Sequence, residues 1–269
     1  MKEYILKSEK GEVHYWYSDV GSDTTLVFLH GLTANHHLFD KQLEYFEGRY
    51  NCLAWDAPAH GESRPYADFT YPNAAAELLA ILDRHGIEKP VLIGQSMGGY
   101  VAQSFLLRNP GRAAAFISID SSPYGEQYYS ASDKWWLKQI EWMSACYPEK
   151  ALKKAVAKQC TAAVRSEENM LSMLNGYAKT ELCHLMGIGY AGFLEDNQNM
   201  ELSCPLLLIA GKKDITGKVK AYNRQWSDVT GVPVHWVENA AHNSNDDAPE
   251  AVNALIEEFI RSLNQGGTA

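Results

Sequence analysis

Five apolar runs punctuate the chain: TLVFLH (25–30), NCLAWD (51–56), PVLIGQ (90–95), AAAFISID (113–120) and PLLLIAG (205–211). None of them alternates apolar and polar residues over its length. A strand with one wet face alternates, whereas a strand covered on both faces does not, and the second condition belongs to parallel sheets sandwiched by helices. A sixth run, VPVHWVE (232–238), repeats the character. Between the runs lie stretches of helical spacing: HLFDKQLEYF, PNAAAELLAILDRHG with Gly86 as its stop, MGGYVAQSFLLRNPG and APEAVNALIEEFIRSL. Strands alternating with helices predict an α/β fold with a mostly parallel central sheet and helices on both faces. EYILKS (3–8) and EVHYWYSDV (12–20) alternate roughly and are read as an early antiparallel pair.

The rhythm pauses once. Residues 121–202 carry helical patterns and aromatics but no buried-strand signal, so they are expected to form a helical cap inserted between core strands. Residues 1–120 and 203–269 then make up the core domain. No internal repeat or low-complexity linker interrupts either part, and the terminal NQGGTA is expected to fray.

Bulk properties narrow the function. A formal net charge of −9 argues against a nucleic-acid partner, because a polyphosphate is repelled. The first residues, MKEYILKSEKGE, lack the apolar core of a secretory signal, and PLLLIAG is too short to span a bilayer. Five scattered cysteines without a CxxC spacing fit reduced thiols and a cytoplasmic location. There is no HExxH, and the adjacent His36 and His37 point in different directions on a helix, so no metal is expected.

Against this background VLIGQSMGGY (91–100) stands out. Gly94 and Gly98 lie two residues before and two after Ser96. A serine on a tight strand-to-helix turn needs small residues at both places, because a Cβ at either one meets the facing backbone. A serine hydroxyl is a weak nucleophile until a base takes its proton and an acid orients the base. In an open α/β sheet those partners belong just past the carboxyl ends of later strands. Asp214 follows the strand and turn LLLIAGKK, and His242 follows the strand and small residues VHWVENAA. Asp120, at the end of FISID, is the rival acid. The order Ser96, Asp214, His242 is the order the strand–serine–helix motif requires.

At this point the chain resembles the α/β-hydrolase-fold serine hydrolases over everything except the cap. The resemblance rests on LVFLHGLTA (26–34), WDAPAHGES (55–63), GQSMGGYVAQ (94–103), GKKD (211–214) and AAHN (240–243). It implies that the backbone N–H groups of Leu32 and Met97 form the oxyanion hole, that DAPAHGES makes a tight turn near the site, and that His30 braces the oxyanion turn. The family more often has histidine before its serine, where this chain has Gln95. The implied function is hydrolysis of small carboxylic esters, or of lactones or thioesters, through an acyl-enzyme on Ser96 without a cofactor. Two alternatives keep the same three residues: a C–C bond hydrolase, and a ligand receptor on the same scaffold with negligible turnover.

Substrate choice is expected to lie in the cap. DKWWLKQIEWMSACY, read as helical, carries two stripes: Trp136, Ile140, Met143 and Tyr147 on one, Trp135 and Trp142 on the other. One must dock the cap. Trp135, Trp142 and Tyr124 are expected to line the pocket, with Tyr128 and Tyr129 as further candidates, for a small-molecule substrate with acyl or aryl groups.

Overall fold

In the computed structural model, which describes residues 1–265, the apolar runs become strands of one sheet. The strands are β1 (Lys2–Ser8), β2 (Gly11–Ser18), β3 (Thr25–Leu29), β4 (Asn51–Trp55), β5 (Val91–Gln95), β6 (Ala115–Ile119), β7 (Leu206–Gly211) and β8 (Val234–Val237). Their spatial order is β1-β2-β4-β3-β5-β6-β7-β8. The β1–β2 and β2–β4 pairs are antiparallel, and every pair from β4 onward is parallel. All residues of β3, β4, β5 and β6 are buried, which accounts for runs that do not alternate.

Helices cover both faces. On one side α2 (Tyr71–Arg84) and α3 (Met97–Arg108) bury Leu78, Ile81, Val101 and Phe105 against Val27, Leu92 and Phe116. On the other, α1 (Asp40–Phe46) joins the C-terminal helix in packing Phe46, Val252 and Ile256 against Leu26, Ile93 and Ile117. Alternate residues of one strand thus feed two different cores. Helix α1, which follows β3, leads to β4 on one side of β3, while β5 lies on the other. Chain direction across the sheet therefore reverses at β3 and β5, opening a crevice at their carboxyl ends.

Between β6 and β7 the described chain is helical: α4 (Ala131–Leu137), α5 (Ile140–Ala145), α6 (Glu149–Cys160), α7 (Val164–Asn175) and α8 (Lys179–Asp196). The stretch leaves and returns at one place. Tyr124 donates its hydroxyl to Asp196 at 3.0 Å, the Gly125 N–H donates to Asn197 at 2.7 Å, and Arg108 pairs with Asp196 at 2.6 Å. Burial within it is uneven. The helix α4 buries no side chain and α5 buries only Ser144, whereas α6, α7 and α8 share a core of Leu152, Met170, Leu174, Leu182 and Leu185. The fold closes with α9 (Val219–Thr230), the short α10 (Ser244–Asp247) and α11 (Pro249–Gln265). Of the NQGGTA tail, Asn264 and Gln265 end α11, and residues 266–269 lie outside the described residues.

Candidate active site

Ser96 sits between β5 and α3 with φ 48° and ψ −112°, a backbone conformation rarely adopted by a residue with a Cβ. Its surroundings hold it there: the Ser96 N–H donates to Ile119 at 2.9 Å, and the Ser121 hydroxyl donates to the Ser96 carbonyl at 2.7 Å. The flanking glycines are dictated by contact. A Cβ on Gly94 would lie 2.6 Å from the Gly98 carbonyl, and one on Gly98 would strike the Leu29 carbonyl. The turn therefore packs α3 directly onto the backbones of β3 and β5, and it lifts the Ser96 side chain to the crevice.

Three side chains meet there. The Ser96 hydroxyl donates to His242 Nε2 at 2.9 Å, and His242 Nδ1 donates to Asp214 Oδ2 at 2.8 Å. Asp214 comes from the turn after β7 and also accepts the Thr216 N–H at 2.7 Å. Burial alone would raise its pKa, but attraction from His242, their hydrogen bond and the Thr216 amide hold it below the ordinary carboxylate value. For His242, burial opposes the charged form, and the Asp214 charge, their hydrogen bond and the Asp120 charge overcome it, so its pKa is raised. The imidazole is thereby built to accept a proton on Nε2 and hold it as a stabilised cation.

Asp120, the rival acid, has a different geometry. Its carboxylate accepts the Gly211 N–H at 2.6 Å and the Ser244 N–H at 3.0 Å. It joins the turn that carries Asp214 to the segment just after His242, and it has no hydrogen bond to the imidazole among the described residues. Burial, then the nearby Asp214 charge, push its carboxyl above the ordinary range. The histidine segment has further supports. Gln95 Nε2 donates to the His242 carbonyl at 2.7 Å, and the Asn243 N–H donates to the Cys160 carbonyl at 2.7 Å. Asp247 accepts from the amides of Ala162, Ala163 and Ala241. Gln95, where the family more often has histidine, thus braces the histidine segment from beneath Gly31, whose Cβ would collide with its carboxamide.

Leu32 and Met97 both line the cavity beside Ser96, and among the described residues neither amide finds an acceptor. A free amide donor beside a nucleophile can bind a developing oxyanion. The loop bearing Leu32 is braced by His30: the Ala57 N–H donates to its Nε2 at 2.9 Å and its Nδ1 donates to the Gly31 carbonyl at 2.8 Å. Burial lowers the His30 pKa to about 4, so it stays neutral in this role. The DAPAHGES turn is held by Asp56, which accepts the amides of His36 and Glu62, and by Ser63, which donates to the Asp56 carbonyl.

A cavity of about 420 Å³ opens over Ser96, His242, Leu32 and Met97, walled by Tyr100, Tyr129, Phe193 and Tyr222. The substrate-binding expectations are corrected here. Trp135 and Trp142 lie outside this cavity, 54% and 57% exposed, and it is Trp136, Leu137 and Ile140 that reach its wall. Although α4 ends at Leu137 and α5 starts at Ile140, Trp136 and Ile140 of one stripe both meet the cavity and Trp135 and Trp142 of the other both miss it, so the stripe expected to dock the cap is the one that lines the pocket. Tyr124 is also outside. It is 3% exposed and supports Tyr100 and Phe193 from behind, tethered to Asp196. Tyr128 does not reach the cavity, whereas Tyr129 does. Tyr100, on the first turn of α3 just past Ser96, also walls the cavity, a site residue that the sequence pattern did not single out. Lys218 and Asp133 meet at 2.6 Å where α4 passes the core, an ion pair in the cavity wall that no local pattern announces.

Comparison with known proteins agrees with this fold. The family model for the alpha/beta hydrolase fold matches residues 24–249. An uncharacterized hydrolase of Bacillus subtilis, YugF, is 24% identical over 93% of this chain and 94% of its own length. Among solved structures, a thermophilic esterase from Thermogutta terrifontis superposes with a TM-score of 0.78 at 20% identity, covering 98% of this chain and 99% of that one. A hydrolase from Pseudomonas aeruginosa PA01 reaches 0.80 at 18% identity, with coverages of 96% and 98%. Strand order, the Ser96 turn and a family match across most of its length place the chain in one family: it belongs to the α/β-hydrolase fold, as a hydrolase of that fold.

Proposed function

We propose that this protein hydrolyses small carboxylic esters through an acyl-enzyme on Ser96. The observation that carries the reading is the hydrogen-bonded chain Ser96–His242–Asp214, at 2.9 and 2.8 Å, beside the two unengaged amides of Leu32 and Met97. In the first half-reaction Ser96 Oγ attacks the ester carbon while His242 Nε2 takes its proton. The carbonyl oxygen becomes an oxyanion held by the two amides, each such donor contributing about 3–4 kcal/mol to the barrier reduction. His242 then returns the proton to the departing alcohol. In the second half, His242 takes a proton from water, the hydroxide attacks the acyl carbon, and Ser96 leaves with the proton. Asp214 keeps the imidazole in the tautomer with Nδ1 protonated and stabilises its cation. No electron or group carrier enters the balance, so the reaction needs no cofactor.

The helices between β6 and β7 act in this scheme as a cap over the bound ester. The mostly aromatic and aliphatic wall of the cavity favours an uncharged substrate over a charged polymer. The test is covalent labelling with a fluorophosphonate together with multiple-turnover hydrolysis of p-nitrophenyl acetate. Ser96→Ala is expected to abolish both with the fold retained. Labelling on another serine in that variant overturns the assignment. A single burst without turnover makes the protein a receptor on a hydrolase scaffold, and turnover confined to an aryl dienoate makes it a C–C bond hydrolase.

A further inference from the structure

The crevice has a second compartment. A void of about 50 Å³ adjoins Ser96 and His242, enclosed by Ala34, Val156, Met170 and Met186. It shares Leu32, Ser96, Tyr190, Thr216 and His242 with the large cavity, so these five residues form the neck between the two. The remaining walls are separate. Met97 belongs to the large cavity alone, while Gly31, Thr33 and Gln95 belong to the small one alone. On either side of the shared residues, Ser96 therefore borders compartments of about 420 and 50 Å³ that could receive the two substituents of a carbonyl carbon bound to it.

We infer that the substrate is an ester of unequal limbs: one bulky, apolar and aromatic-compatible, the other limited to a few atoms. The inference rests on the acyl-enzyme reading above and names its substrate class. The size of the short limb follows from the void. About 15 Å³ of such space seats one water-sized atom, so the small compartment admits a limb of about three non-hydrogen atoms. The wall cannot yield without disturbing a packed region, because Met170 is buried and lies in one core with Leu152, Leu174 and Leu182. Adding methylenes into such a wall costs about 1–3 kcal/mol, a loss of roughly ten- to a hundred-fold in rate when it falls on the transition state. The bulky limb meets no such limit, since Tyr100, Tyr129, Phe193 and Tyr222 wall a space several times larger.

Two chemistries place a short limb at the neck: an acetate or propionate of a bulky alcohol, and a methyl or ethyl ester of a bulky acid. Two substrate series separate them, 2-naphthyl esters from acetate to octanoate and 2-naphthoate esters from methyl to octyl. In one of the series kcat/KM is expected to fall about ten-fold or more, once the acyl group passes about four carbons or the alkyl group passes about two. An ester with two long limbs, hexyl hexanoate, is expected to be turned over poorly. Met186→Ala enlarges the small compartment and should move the cut-off outward by about one or two carbons. Val156→Ala is the second variant, from a different helix, should Met186→Ala fail to fold. Rapid turnover of both series at all lengths, or a cut-off that neither variant moves, overturns the two-compartment inference and leaves the esterase reading standing. No turnover in either series, with Ser96 also unlabelled by the fluorophosphonate, overturns that reading and this inference with it.

Discussion

Replacing Asp120 by asparagine separates a clamp from a catalytic acid. The carboxylate accepts two backbone N–H groups, from Gly211 and Ser244, on the two segments that carry Asp214 and His242. Asparagine offers one carbonyl oxygen and one NH2, so one backbone N–H must then face another donor. Hydrogen bonds to a charged acceptor are worth about 1.5–3 kcal/mol each. Removing a buried charge beside Asp214 returns part of that, because the two carboxylates repel. A net loss of about 1–3 kcal/mol is expected, which for a chain of this size lowers Tm by about 3–10 °C. The histidine segment keeps its ties to Gln95 and Cys160, so kcat should fall by only about ten-fold. The pH profile should move as well. Hydrolysis needs His242 neutral at Nε2 and is lost as pH falls through the raised pKa of His242. The Asp120 charge helps to raise it, so its removal shifts the acid limb to lower pH. Scanning calorimetry and kcat across pH 4–9 or so read all three effects. An unchanged Tm and an unchanged acid limb refute the clamp. Collapse of kcat in Asp120→Asn, with Asp214→Asn near the parent, makes Asp120 the acid.

Asp214→Asn itself should lower kcat by about 10³–10⁴-fold with the fold intact, because the amide favours the wrong imidazole tautomer; single-turnover acylation measures it. Gly98→Ala should prevent accumulation of soluble protein or abolish labelling of Ser96, since the new Cβ strikes the Leu29 carbonyl, and a well-folded active variant contradicts the packing of that turn. The double change Trp135→Ala with Trp142→Ala should leave Tm within about 2 °C and KM for naphthyl esters within about two-fold, because both side chains are exposed outside the cavity. Trp136→Ala should raise KM for the same esters several-fold with kcat nearly constant, the pattern of a lost binding contact.

The sheet was legible because its strands advertise double burial over five or six residues, a signal that depends on local composition alone. The turn at Ser96 was legible for a related reason: Gly94 and Gly98 are required by backbone contacts within a few residues of the serine. Asp214 and His242 could be placed because strand ends gather at one rim of the sheet. Choosing Asp214 over Asp120 by sequence was harder, since both follow a buried strand, and only the distances show which carboxylate meets the imidazole. The cavity wall was read least well. Trp135 and Trp136 are neighbours on α4, and which of them meets the cavity depends on how that helix lies against the core, while the wall of the small compartment depends on Met170 and Met186 from helices far along the chain. Such contacts between distant helices leave no periodic trace.

The uneven burial between β6 and β7 has a consequence for how the protein breathes. Helices α6, α7 and α8 share a core, and the turn between α6 and α7 is fastened to the histidine segment through Asp247 and the Cys160 carbonyl. Helix α4 has no buried side chain; it meets the core through the half-buried Leu137 and through Asp133, whose partner Lys218 is largely in water, so that ion pair contributes little. The stretch divides into two units of unequal opening free energy. Amide protons of α4 should exchange with solvent orders of magnitude faster than those of α7 and α8, at a rate insensitive to mutations that loosen β7 or β8. Entry and exit can then proceed by local fluctuation of one wall while the proton path from Ser96 to Asp214 stays assembled throughout.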